Sequence, residues 1–153
     1  LSGVRAVVAL VWGQQEAKTK DANIFSVKSV PHDWLFPHMA GAVHHGGAGT
    51  TATSLRHALP TLVVPFGGDQ PFWAERVYAA GCGPKAIPRD KLTAENLAEG
   101  LRALISNPEY TRNAACIGEA LRNEHGCANA ADLIEKAVWD WENGNPAQDG
   151  MNI

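Results

Sequence analysis

The chain has 153 residues, with 13 Lys and Arg against 16 Asp and Glu for a formal net charge of −3, and it is 45% hydrophobic and 19% charged. That balance belongs to one folded domain of ordinary size and excludes a disordered tail. The mildly acidic total argues against nucleic-acid binding, although a local site for one anionic ligand remains open to it.

Arg5 to Trp12 is apolar and Val-rich, of strand length, and far short of the roughly 20 residues of a membrane helix. A polar loop, Gln14 to Asn23, follows. Ile24 to Val27 is a second strand, and Gly41 to His44 a third that runs into His45-Gly46-Gly47-Ala48-Gly49. Thr50 to Ala58 reads as a helix stopped by Pro60. Thr61 to Pro65 is a fourth strand, its continuous apolar run expected where both faces are covered. Gln70 to Ala80 is helical and Gly81 ends it. Pro84 to Ile87 is a weak fifth strand.

Helices fill the rest. Thr93 caps one whose apolar residues Leu97, Leu101, Leu104 and Ile105 recur at helical period. Asn107-Pro108-Glu109 starts another, which Gly126 ends. A last helix carries Leu133, Ile134, Ala137, Val138 and Trp141 on one side. This alternation predicts an α/β fold, a Rossmann-like parallel sheet with flanking helices over residues 1–142, and a frayed tail at 143–153. No secretory signal opens the chain. Cys82, Cys116 and Cys127 are widely spaced and fit buried thiols in a reducing, cytoplasmic setting better than disulfides or zinc ligands. The start at Leu1, close to the first strand, reads as one domain of something longer.

The chemistry concentrates between Val43 and Gln70. Gly46, Gly47 and Gly49 lie between a strand and a helix, where glycine permits a positive φ and close approach of a ligand. The free N–H groups of the helix start form an anion site. His45 adds an imidazole donor and Thr50 a hydroxyl. A tight turn that needs glycine for geometry alone explains the same residues. The pattern is neither the dinucleotide GxGxxG nor a P-loop, so NAD and ATP are disfavoured. Asp69 and Gln70, at the end of the next strand, offer acceptors and a donor for vicinal sugar hydroxyls. A helix cap with Pro71 in the first turn explains Asp69 as well.

Together His45-Gly46-Gly47-Ala48-Gly49-Thr50 and Asp69-Gln70, 24 positions after His45, resemble the donor-binding signature of family 1 glycosyltransferases with the GT-B fold. Val30 to Pro37, Pro60 to Phe66 and Gly68 to Trp73 run in the order of the sterol 3-β-glucosyltransferase and bacterial antibiotic branch. The resemblance covers roughly Arg5 to Leu104. It implies the C-terminal, donor-binding half of a GT-B enzyme whose first strand is missing here. It implies that His45 and Thr50 contact the diphosphate of a UDP-sugar and that Gly47, Ala48 and Gly49 wrap it. Asp69 and Gln70 would hold the hexose, with glucose indicated by Gln70. Backbone near Val30 would meet the uracil.

The implied reaction is inverting transfer of glucose to a hydroxyl of a lipophilic acceptor, a sterol, with no metal or other cofactor. The catalytic residues are expected in an N-terminal acceptor domain, supplied in cis or in trans, so this chain alone would transfer nothing. Peripheral membrane association of a parent protein is compatible with this. An antibiotic or macrolide-type enzyme using a deoxysugar, and a non-catalytic UDP-sugar-binding subunit, are the alternatives. Thr53 stands where plant members place a ribose-binding Glu, and His32 where they place a Gln. His38, His44 and His45 make a poor metal cluster because neighbours on a strand face opposite ways. His44 reads as a packed or supporting residue, and His57 and His125 as surface residues. Trp34, Trp73, Trp139 and Trp141 read as packing.

Overall fold

The computed structural model describes residues 3–9 and 21–144. Leu10–Trp12, the polar loop to Lys20 and the tail from Asn145 lie outside the described residues. Among the described residues four short strands form two parallel pairs. β1 (Ala6–Ala9) lies beside β2 (Ile24–Val27), with Ala6 opposite Ile24. β3 (Ala42–His44) lies beside β4 (Thr61–Val63), with Val43 opposite Leu62. The parallel strands and flanking helices of the expected α/β fold are present, arranged as two two-stranded sheets.

All three residues of β4 are buried, as its apolar run requires. Side chains alternate along a strand, so β4 serves two layers. Leu62 is 0% exposed. A Cβ on Gly100 would fall 2.8 Å from its Cδ2, so the glycine lets helix α4 (Ala94–Ser106) press close. Val63 turns the other way, into a cluster with Leu55, Ala74, Val77, Cys82 and Ala114. Those residues come from α2 (Ala48–Arg56), α3 (Gln70–Ala79), the loop after it and α5 (Pro108–Asn123). Fully burying a side chain such as Leu62 or Val63 contributes about 1.5–3 kcal/mol.

The expected fifth strand at Pro84–Ile87 is not a strand. Ile87 N–H and Arg89 N–H donate to the Val63 and Pro65 carbonyls, at 3.0 and 3.2 Å, so the segment follows the edge of β4. Pro84 and Pro88 have no N–H, which keeps a full ladder from forming.

Thr93 and Asn96 cap α4 reciprocally, as a capping box. Asn107 Oδ1 accepts the Glu109 N–H at the head of α5. Two boundaries differ from expectation. α2 starts at Ala48 and not Thr50, because Gly47 is already extended (φ −63°, ψ 145°) and its carbonyl takes the Thr51 N–H. Gly126 opens a helix and does not end one: α5 stops at Asn123, and His125 turns left-handed (φ 49°) before α6 (Gly126–Glu142).

The chain divides into two units, Leu1–Leu121 and Arg122–Ile153. In the second, α6 is fastened by its own polar groups: Asn129 Nδ2 donates to the Glu124 carbonyl and Lys136 pairs with Asp140 at 2.6 Å. Its apolar side is exposed, with Leu133 at 69% and Trp141 at 86%. The packing role expected for Trp139 and Trp141 is therefore absent among the described residues. Of the three thiols only Cys82 is buried, and burial pushes it up to about 11, with Cys116 adding to the shift. Cys116 and Cys127 are exposed, against expectation; Cys127 lies on α6, which buries none of its residues.

Candidate donor-binding site

The site grows from the ends of β3 and β4. β3 finishes at His44, and the chain turns at Gly46 in the left-handed region (φ +88°). A Cβ there would fall 2.5 Å from Val63 Cγ1 and 3.2 Å from the Gln70 carbonyl oxygen. Only glycine fits such a position. The contact also carries the main geometric result: the turn after β3 packs against the first residue of α3, so the two sequence motifs meet.

α2 begins immediately after this turn. The N–H groups of Ala48, Gly49 and Thr50 occupy its first turn and have no acceptor inside the helix. A Cβ on Gly49 would meet nothing within 4 Å, so the side of the first turn at this residue is uncovered. His45 lies over the helix start: a Cβ on Gly47 would fall 2.6 Å from His45 Nε2. Three donors and one imidazole thus gather at the positive end of a helix dipole. Thr53 Oγ1 is taken by the Gly49 carbonyl at 2.9 Å, and Ser54 Oγ by Thr50 at 2.9 Å, so both hydroxyls are absorbed by the helix.

The second half of the site is the loop Phe66–Asp69. Gln70 Oε1 accepts from Phe66 N–H at 2.7 Å and Gly67 N–H at 3.2 Å. The amide oxygen therefore shapes its own loop, and the Gln70 NH₂ has no hydrogen-bond partner among the described residues. Asp69 stands at the N-terminus of α3 but its side chain makes no cap hydrogen bond. Its Oδ2 accepts the Trp73 indole N–H at 2.9 Å. The cap explanation for Asp69 fails, and Trp73, expected to serve packing, is the partner that orients the carboxylate. The spacing of four residues on one helix was the available signal.

His44 occupies the turn from behind. Its Nδ1 accepts the Gly46 N–H at 3.0 Å, while Nε2 is buried with no hydrogen-bond partner among the described residues. Burial first, then the neighbouring His45 and His32, lowers the ring to about 4.

Val30 is half-buried just ahead of α1 (His32–Leu35), and the hydrogen bonds of this segment lead to the far end of α2. Asp33 Oδ1 sits 3.1 Å from His57 Nε2. Phe36 lies between the His32 ring, stacked at 4.7 Å, and the His57 ring, edge-on at 6.2 Å. His57 is therefore half-buried and paired, a correction to its expected surface role. Trp34 is exposed and touches His38 edge-on at 5.7 Å.

Residues 6–135 match the model of the erythromycin biosynthesis protein CIII-like, C-terminal domain. The chain belongs to this family. This CIII-like domain is 43% identical over 134 residues to a sterol 3-beta-glucosyltransferase of Arabidopsis thaliana, covering 86% of the chain and 22% of the relative. It is 38% identical over 134 residues to the O-mycaminosyltylonolide 6-deoxyallosyltransferase of Streptomyces fradiae, covering 88% of the chain and 31% of the relative. The chain thus spans about a fifth to a third of the length of these curated relatives.

Among solved structures, the kitacinnamycin glycotransferase superposes with a TM-score of 0.78 at 26% identity, over 86% of this chain and 34% of that one. The glycosyltransferase VinC, solved with dTDP, superposes with a TM-score of 0.75 at 28% identity, over 86% of this chain and 34% of that one. The fold is that of the C-terminal half of GT-B glycosyltransferases. Among the described residues no helix is long and apolar enough to cross a membrane.

Proposed function

We propose that this CIII-like domain binds the nucleotide-sugar donor of a glucosyltransferase that moves glucose from UDP-glucose to a hydroxyl of a lipophilic acceptor, a sterol. One observation carries the reading: Gly46 packs against Gln70, so the first turn of α2 and the Asp69–Gln70 pair lie side by side. A diphosphate fits the first element and a sugar the second. Relatives named as sterol 3-beta-glucosyltransferases support the choice of sugar and acceptor.

In the proposed reaction the acceptor oxygen bonds to the anomeric carbon while that carbon's bond to the phosphate oxygen breaks. The electron pair leaves with the nucleoside diphosphate, and the acceptor hydroxyl's proton passes to a base of the acceptor domain. The amides of Ala48, Gly49 and Thr50, with His45, are placed to stabilise the growing charge, the task a metal ion performs elsewhere. Asp69 Oδ1 and the Gln70 NH₂ are left to hold sugar hydroxyls, one accepting and one donating. The acceptor site belongs to residues outside this chain, in cis or in trans.

Calorimetric titration of the chain with UDP, UDP-glucose and dTDP-glucose tests this. UDP and UDP-glucose bind, and His45→Ala weakens both about tenfold, near 1.4 kcal/mol. Gln70→Glu keeps the oxygen that holds the loop but exchanges the NH₂ for negative charge, so it weakens UDP-glucose more than it weakens UDP. Absence of UDP binding by the folded chain refutes the donor site. Preference for dTDP-glucose over UDP-glucose moves the assignment to the deoxysugar branch, to which the dTDP complex of VinC draws attention.

A further inference from the structure

We infer that His44 is a positioning residue for the donor diphosphate, acting through the turn that aims the α2 amides; this rests on the donor-binding reading above. The turn at Gly46 is left-handed, a conformation glycine enters at little cost, so the direction its backbone takes depends on what its N–H bonds. Its N–H is bound at 3.0 Å by His44 Nδ1, a ring on the residue two positions earlier. Because Nδ1 accepts, the neutral ring carries its proton on Nε2. The neighbouring residue His45 follows the end of the strand, its Nε2 lying 2.6 Å from where a Cβ on Gly47 would fall, and the two rings meet edge-on with centroids 6.3 Å apart. One histidine thus reaches the helix start while the other pins the turn from within.

Two chemical facts isolate this role. An imidazolium would carry a proton on both nitrogens and would face the Gly46 N–H donor with another donor. The depressed value of about 4 keeps the ring in the accepting state at neutral pH. The other nitrogen, Nε2, is buried and bonded to nothing among the described residues. Replacing the ring by phenyl therefore removes one hydrogen bond only, the one to Gly46. Asparagine restores it by different means, since an Asn oxygen readily accepts the N–H two residues on.

Titration of the chain with UDP separates these possibilities. His44→Phe weakens UDP binding about tenfold, and His44→Asn returns it to within about threefold of the parent chain. A side chain serving only to fill space gives the reverse order, with Phe ahead of Asn, and overturns the inference. Equal affinity of His44→Phe and the parent chain also overturns it. Nitrogen NMR of the parent chain gives a reading that survives any misfolded variant: His44 shows an unprotonated Nδ1 and a protonated Nε2. The opposite tautomer, or an imidazolium, removes the acceptor and the inference with it. Failure of the parent chain itself to bind UDP is a different result, in which the donor-site reading falls first.

Discussion

Asp69 has two carboxylate oxygens, and they meet different fates. Oδ2 is held by the Trp73 indole at 2.9 Å, one turn along α3, while Oδ1 remains for a ligand. A carboxylate on an exposed loop samples several rotamers, and fixing one oxygen removes part of the entropy that binding would otherwise have to overcome. Trp73→Phe keeps an aromatic ring and loses only the N–H. UDP-glucose binding by this variant falls about threefold to tenfold, UDP binding is unchanged, and the melting temperature moves by less than about 3 °C. Equal losses for both ligands would show that Trp73 supports the whole loop. His45, Gly47, Ala48, Gly49, Thr50, Asp69 and Gln70 were all legible as a pattern, because glycine spacing and a strand end betray a turn. What Gln70 Oε1 and His44 Nδ1 do was not legible. Each bonds a backbone N–H whose direction depends on the φ and ψ of a turn that sequence does not specify.

At the scale of elements, the strands and helices follow from apolar period and from caps. Thr93 and Asn107 mark their helices correctly because a capping side chain needs only local geometry. Gly126 misleads for the converse reason: glycine is tolerated on either side of a helix boundary, and the left-handed turn went to His125. Pro84–Ile87 was read as a strand from composition, whereas the two prolines restrict it to an edge with alternate hydrogen bonds. The tightest joint between elements lies beside it. A Cβ on Gly83 would land on the Thr61 carbonyl oxygen, with Thr61 N only 3.3 Å away, where the Thr61 N–H bonds the Cys82 carbonyl. Both partners are backbone and neither can swing aside. Gly83→Ala therefore costs about 3 kcal/mol, a fall of roughly 10 °C in melting temperature. Gly126→Ala, with nothing within 4 Å of its Cβ, melts within a few degrees of the parent chain and serves as the control.

For the whole molecule, the buried residues belong to a narrow set of aliphatics, small side chains and Phe36 gathered around β4. Among the described residues the tryptophans lie elsewhere: Trp34 is 64% exposed, Trp139 57% and Trp141 86%, and Trp73 is half-buried beside Asp69. This distribution decides what light can report. Indole emission shifts to longer wavelength when the ring meets water, and most of these rings meet it already in the folded state. Heating or denaturant therefore changes the emission maximum little, while the far-ultraviolet circular dichroism of the helices falls in one clear transition. A large red shift coincident with that transition would mean that other residues cover Trp139 and Trp141 in solution. Trp73 is the exception worth watching, since a sugar settling against Asp69 would alter its emission and turn the binding site into its own optical probe.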